Sequence, residues 1–82
     1  ELRIYPNPSK GTFMLDLKSK EDQSLEIRVF NTLGDIVFSE SGIQFNGNYN
    51  RTLDFSNLSE GMYFLHITTQ NRLLVKKLIV NR

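Results

Sequence analysis

Hydrophobic residues alternate with polar ones along most of this chain, and the alternation predicts β-strands. The clearest run is 62–68, in which every second residue from Tyr63 to Ile67 falls on one face of an extended backbone. Period two with aromatic and β-branched residues is typical of a strand. Gly61 predicts a tight turn before this run, and Leu58 is expected to fold back and plug the end of the core. We therefore expect this strand at the centre of the fold.

Two turn residues predict specific backbone contacts. Tyr63 lies two residues after Gly61, which predicts a tyrosine corner, with the ring buried and the hydroxyl bonded to backbone a few residues upstream. The segment 31–34 is interpreted as a hairpin connection, in which Gly34 supplies a positive φ.

Six further extended segments are predicted at 2–5, 12–18, 25–29, 36–40, 49–55 and 72–81. A polar loop is expected at 19–23 and an irregular stretch at 41–48. Seven strands, with turns about every 8–12 residues and no helical period, predict an all-β, seven-stranded antiparallel immunoglobulin-like β-sandwich.

The last predicted strand is mostly apolar on both faces. One face carries Leu73, Val75, Lys77 and Ile79, and the other carries Leu74, Lys76, Leu78 and Val80. Such a strand is half covered or awaits a partner, and its edge can pair with another sheet. A weak homodimer through edge strands stays open as an alternative. A second interpretation is that the lysines guard the edge against aggregation.

Composition narrows the classes of function. The chain has 82 residues, a net charge of +1 and no cysteine. We expect a single domain over 1–82, cut from a longer precursor because the chain starts at Glu1 without methionine. The scattered charges argue against nucleic acid and against a polybasic membrane anchor.

Little in the sequence predicts catalysis. His66 is the single histidine, without a recognisable nucleophile and carboxylate beside it, and the carboxylates are not spaced as metal or catalytic pairs. We predict no enzymatic activity, no metal and no cofactor. A carbohydrate-binding module is an alternative and requires exposed, coplanar aromatic rings, drawn from Tyr5, Phe45, Tyr49 and Phe64. An inert immunoglobulin-like spacer in a secreted enzyme or adhesin is another.

Four short motifs follow one another along the whole chain. They are Tyr5-Pro6-Asn7-Pro8 with Gly11, then Leu33-Gly34-Asp35-Ile36-Val37, then Leu58-x-x-Gly61-x-Tyr63, and finally Lys76-Lys77-Leu78-Ile79-Val80. In this order and spacing, the chain resembles the C-terminal sorting domain of the type IX (Por) secretion system of Bacteroidetes.

The resemblance implies a secretion signal. Such a domain directs a cargo fused to its N-terminal side from the periplasm through the type IX outer-membrane translocon. A sortase-like protease then normally removes the domain, and the cargo is anchored to surface lipopolysaccharide or released. The protein would thus end at the outer membrane surface or outside the cell.

The resemblance also assigns roles to individual positions. The translocon is expected to recognise Lys76, Lys77, Leu78, Ile79 and Val80. Pro6, Asn7, Pro8 and Gly11 are expected to shape the turn into the second strand. Structural roles are expected for Gly34, Leu58, Gly61 and Tyr63.

Overall fold

The computed structural model describes residues 1–82, except for the side chain at position 21. The strands are β1 (Leu2–Tyr5), β2 (Thr12–Phe30), β3 (Ile36–Asp54), β4 (Gly61–Thr69) and β5 (Leu73–Val80). All strand pairs are antiparallel and belong to one five-stranded sheet. The all-β, antiparallel prediction is confirmed.

β2 and β3 form one long hairpin that organises the sheet. Its register runs from Thr12 opposite Asp54 to Phe30 opposite Ile36. β3 takes one edge of β2, so β1 and β4 share the other edge, β1 along 14–17 and β4 along 25–30. β5 then pairs with β4, which gives the order β1-β2-β4-β5 with β3 beside β2.

The long hairpin bends. A straight strand of 19 residues would measure about 63 Å at roughly 3.3 Å per residue, but the longest dimension of the molecule is 37 Å. The pairing of β2 with β3 is irregular between Lys18 and Asp22, which is the kind of interruption that bends a strand. The two halves of the hairpin thereby enclose one core.

The core is built from the inward positions of every strand. Its members are Leu2, Phe13, Leu15, Leu17, Leu25, Ile27, Val29, Leu53, Phe55, Tyr63, Leu65, Ile67, Leu78 and Val80. Both halves of β2 contribute their odd-numbered residues to the core. Leu17 and Leu25 are eight positions apart in the sequence. Because eight is even, the same face of the strand points inward before and after the bend. Each buried aliphatic or aromatic side chain contributes about 1.5–3 kcal/mol of transfer free energy.

The segment after β1 brings the two ends of the sheet together. Ser9 forms a parallel bridge with Val80 at the end of β5. The Ser9 N–H donates to the carbonyl of Ile79 at 2.9 Å, and the Ser9 carbonyl accepts the N–H of Asn81 at 2.8 Å. The sheet is therefore nearly closed into a ring.

The number of strands differs from the sequence prediction. The expected loop at 19–23 lies within β2, and the expected irregular stretch at 41–48 lies within β3, so two pairs of predicted strands are each continuous. The prediction of loops was wrong because polar side chains were taken as loop signals, whereas a two-stranded ribbon keeps its backbone hydrogen bonds where both faces meet water. The seven-stranded immunoglobulin-like sandwich is thus not confirmed, and a single bent sheet takes its place.

Candidate recognition site

The predicted recognition segment at the chain end is divided by burial. Leu78 and Val80 are fully buried in the core, whereas Lys76 and Lys77 are exposed and Ile79 is half-buried. Because successive side chains of a strand point to opposite faces, the two lysines project to different sides of β5. Only the lysines present their whole side chains to a partner.

The C-terminal half of the outer edge of β5 is covered. The side-chain amide of Asn7 donates from Nδ2 to the carbonyl of Lys77 at 2.6 Å, and its Oδ1 accepts the N–H of Ile79 at 2.9 Å. Asn7 thus replaces one residue of a neighbouring strand, and Ser9 pairs with the next backbone groups. The expectation that the chain end presents a free edge is therefore wrong for this half, because Asn7 and Ser9 occupy it.

The N-terminal half of β5 keeps its outer edge unpaired. Thr69 donates its N–H to the carbonyl of Arg72 at 2.9 Å, so even-numbered residues of β5 face β4 and odd-numbered ones face outward. The N–H and C=O groups of Leu73 and Val75, with the N–H of Lys77, therefore point away from the sheet. We call these backbone groups the open edge.

The surroundings of the open edge combine apolar and basic side chains. Leu73 is 58% exposed and Val75 is 50% exposed, and the two side chains lie next to each other on one face of β5. Arg72, Lys76 and Lys77 flank them, and none of the three forms an ion pair in the described part of the chain. This end of β5 therefore carries uncompensated positive charge.

The loop after β3 is held by two distant side chains. The Tyr63 hydroxyl donates to the carbonyl of Ser59 at 2.6 Å, so the predicted bond to upstream backbone is present. Arg82 donates its guanidinium to the carbonyls of Ser56 (2.7 Å), Phe55 (3.2 Å) and Leu58, and its N–H to Oε1 of Glu60 at 2.7 Å. Leu58 is half-buried and packs against the core, where it was predicted to lie.

The same loop begins with an aspartate turn. Asp54 accepts the N–H of Ser56 on Oδ1 at 3.0 Å. This hydrogen bond to the charged form lowers the pKa of the Asp54 carboxyl below its ordinary value. The first turn of the loop is therefore favoured by the ionised carboxylate.

Gly11 lies where a side chain has no room. Its φ is 138°, and a Cβ there would lie 3.1 Å from the Cα of Ser56 and 3.2 Å from Nη2 of Arg82. Gly34 and Gly61 also have positive φ values, 89° and 150°. Gly34 thus has the backbone predicted for the hairpin connection, and its N–H donates to the carbonyl of Asn31 at 3.0 Å.

Sequence reasoning missed Arg82 and Ser9 and assigned Asn7 only to a turn. The partners of Asn7 lie 70 and 72 residues away, so no local pattern signals them. A proline on either side of Asn7 is the one local cue, since neither proline has a backbone N–H to donate.

His66 lies on β4 beside an aromatic side chain. Its ring packs against Phe30 with a centroid distance of 4.6 Å. Among the described residues no group of three or more histidine or acidic side chains is placed to hold a metal ion. No helix in the described part of the chain is long and apolar enough to cross a membrane.

The aromatic residues proposed for sugar binding do not form a flat platform. Phe45 and Tyr49 are half-buried, pack against the core and are tilted by 52° to one another. Tyr5 is exposed and donates its hydroxyl to Oδ2 of Asp16 at 3.0 Å, a bond that raises the pKa of Tyr5. The geometry required by the carbohydrate-binding alternative is therefore not met by this pair.

Comparison with known proteins gives two matches. A family model described as a secretion system C-terminal sorting domain matches residues 3–81. An endo-acting ulvan lyase of Formosa agariphila is 27% identical over 81 residues, which is 98% of this chain and 15% of that protein. The chain thus spans about a seventh of the length of this curated relative.

Proposed function

This chain belongs to the family of type IX secretion system C-terminal sorting domains, and we propose that it carries a cargo fused to its N-terminal side through the outer-membrane translocon. The observation that carries the proposal is the family match over residues 3–81. The lyase of Formosa agariphila supports it, because the matching stretch is a small part of a much larger protein. A C-terminal secretion signal implies a secreted or cell-surface protein.

The domain acts in this proposal as a label and supplies no catalytic group. The cargo passes through the periplasm, and a sortase-like protease then removes the domain, with the cargo anchored to surface lipopolysaccharide or released. Residues 1–82 act as a single sorting domain in this proposal. One core that includes every strand supports this single unit.

Recognition by the translocon is proposed to centre on β5. Lys76 and Lys77 are exposed and form no ion pair among the described residues, whereas Leu78 and Val80 are buried in the core. Asn7 acts indirectly, by covering part of the β5 edge, and Pro6, Pro8 and Gly11 shape the turn into β2.

The test is export of a fluorescent protein fused in front of the chain in a type IX-competent bacterium. The fluorescent protein alone is the first control, and a Lys76→Glu/Lys77→Glu fusion tests the recognition residues. We expect the complete fusion outside the cell and the charge-reversed fusion retained in the periplasm while still folded. Retention of the complete fusion in the periplasm would refute the sorting function.

The proteolytic step needs a separate measurement. Mass spectrometry of the exported fluorescent protein is expected to find the cargo without residues of this domain, in a lipopolysaccharide-linked or free form. Recovery of the intact fusion at the surface would contradict removal and leave sorting untouched.

A further inference from the structure

We propose that the open edge of β5 binds an extended, acidic segment of a partner protein as an additional antiparallel or parallel strand. This inference rests on the proposed sorting function and names the chemistry of the partner at the same strand. It depends on three features of β5, which are its unpaired backbone groups, its exposed apolar side chains and its uncompensated positive charge.

The backbone groups set the size of the site. Asn7 and Ser9 cover the outer edge from the carbonyl of Lys77 to the N–H of Asn81. What remains is the open edge, with two complete N–H and C=O pairs, at Leu73 and Val75. A short added strand would satisfy these groups through main-chain hydrogen bonds, which is how sheet edges bind peptides.

The side chains define what such a strand carries. Leu73 and Val75 lie on the outer face of β5, beside Thr68 and His66 of β4. A β-branched or aliphatic residue of the partner, directly opposite Val75, would cover both exposed side chains. Arg72 and Lys76 lie on the opposite face of β5, so apolar positions of the partner alternate with the positions that meet these two cations.

The charges select acidic residues. Arg72, Lys76 and Lys77 surround the open edge without a carboxylate partner in the described part of the chain. Carboxylates at alternate positions of the added strand would pair with Arg72 and Lys76, and the charge of all three cations would speed association. The partner is thus an extended segment in which acidic and apolar residues alternate.

The same charges disfavour a second copy of this chain as the occupant. An antiparallel β5–β5 pair centred on Val75 would bring Arg72, Lys76 and Lys77 of both copies into one short ribbon. Like charges at such distances repel one another. A homodimer is therefore the alternative outcome that the experiment has to separate.

The binding experiment uses the complete chain, labelled with ¹⁵N, and a soluble nine-residue peptide in which glutamate alternates with valine and threonine. The matched peptide carries lysine in place of glutamate. We expect the acidic peptide alone to bind, to protect the Leu73 and Val75 amides from hydrogen exchange, and to bind more weakly as salt increases. Equal binding of both peptides, or binding of neither, would overturn the proposal.

Two variants test the site without touching the core. Val75→Pro removes an outward N–H at an edge position, where proline is tolerated. Lys76→Glu/Lys77→Glu changes exposed side chains only and is expected to weaken binding of the acidic peptide by about tenfold. Lys10→Glu is the control, because it changes an exposed lysine next to the covered half of the edge. If Lys10→Glu weakened binding of the acidic peptide as much as the double variant does, the assignment of the binding site to the open edge would be overturned.

Sedimentation velocity and export complete the test. A dimer that protects Leu73 and Val75 without peptide would identify a second copy as the occupant and overturn the proposal. In cells, we expect the wild-type fusion to be exported and the folded Val75→Pro and charge-reversed fusions to be retained. Normal export of both variants would overturn the open-edge proposal alone, whereas failure of the wild-type fusion would overturn the sorting function on which it rests.

Discussion

The side chain of Asn7 and the backbone of Ile79 pair across the edge of β5, with Oδ1 of Asn7 accepting the Ile79 N–H at 2.9 Å. The same amide donates to the carbonyl of Lys77 at 2.6 Å. An asparagine between two prolines thereby does what a neighbouring strand would do. The relationship connects the first sequence motif of the family pattern with the last.

Asn7→Ala removes both hydrogen bonds and uncovers part of the edge. We expect a loss of about 1–2 kcal/mol in the free energy of unfolding, because each bond contributes roughly 1 kcal/mol net. Urea unfolding measures the loss, and hydrogen exchange at the Ile79 amide reports the uncovered edge.

The control for Asn7 is Asn48→Ala. Asn48 is exposed, and its side chain has no hydrogen-bond partner in the described part of the chain. If Asn48→Ala lowered the free energy of unfolding as much as Asn7→Ala does, the destabilisation could not be assigned to the contact between Asn7 and β5.

Tyr63→Phe is expected to destabilise the domain by about 1–2 kcal/mol. The variant keeps the buried ring and leaves the carbonyl of Ser59 without its donor. Tyr5→Phe is the matched change, since Tyr5 is exposed and its bond to Asp16 lies in water. Thermal unfolding that shows an equal or larger effect for Tyr5→Phe would contradict a structural role for the tyrosine corner.

The sequence was informative where the physics is local. Tyr63 two residues after a glycine predicted the hydroxyl bond to upstream backbone, and alternation placed Tyr63 and Ile67 on one face of a strand, where they are buried at 7% and 0% exposure. The sequence did not predict that Asn7 pairs with the edge of β5. The partners of Asn7 lie 70 and 72 residues away along the chain, so the contact depends on the folded structure. The period of hydrophobic residues carries no information on contacts between residues so far apart in the sequence.

The number of strands was mispredicted for a related reason. Ser19 and Gln23 are polar positions within β2, and Ser41 and Gln44 are polar positions within β3. Ser41 and Gln44 are exposed, whereas Ser19 and Gln23 are half-buried, so polarity does not by itself indicate a loop. Whether the backbone pairs at such positions depends on the partner strand, which composition does not reveal.

The aspartate turn at the start of the loop after β3 gives a pH prediction. The pKa of Asp54 is lowered by the Ser56 N–H, so its carboxylate stabilises the folded state above the unfolded-state pKa, and that stability is lost as pH falls through the folded-state pKa. A ¹³C carboxyl titration is expected to place Asp54 below an ordinary aspartate. The same carboxyl in the urea-unfolded protein is the internal reference. A pKa of Asp54 equal to or above that of the reference would refute the hydrogen bond between Asp54 and Ser56 in solution.

Deletion of the last residues is expected to unfold the domain, so that a loss of export would not by itself identify a recognition signal. Deletion of 78–82 takes away Leu78 and Val80, which are 0% and 1% exposed, and loss of a buried aliphatic side chain costs about 2–5 kcal/mol. Since a domain of this size has a total stability of about 5–15 kcal/mol, we expect the deleted form to be largely unfolded by circular dichroism.

The Arg82→Ala variant distinguishes unfolding of the domain from loss of a recognition signal. It removes the guanidinium contacts to the loop at 55–58 but keeps the buried residues and the N–H bond to Glu60. We expect a folded domain with faster hydrogen exchange in that loop, because exposed hydrogen bonds to a charged group contribute about 1.5–3 kcal/mol at most. Normal export of the folded Arg82→Ala fusion, with no export of the deletion, would assign the deletion defect to unfolding. A folded deletion that is still retained in the periplasm would instead place recognition within the last five residues.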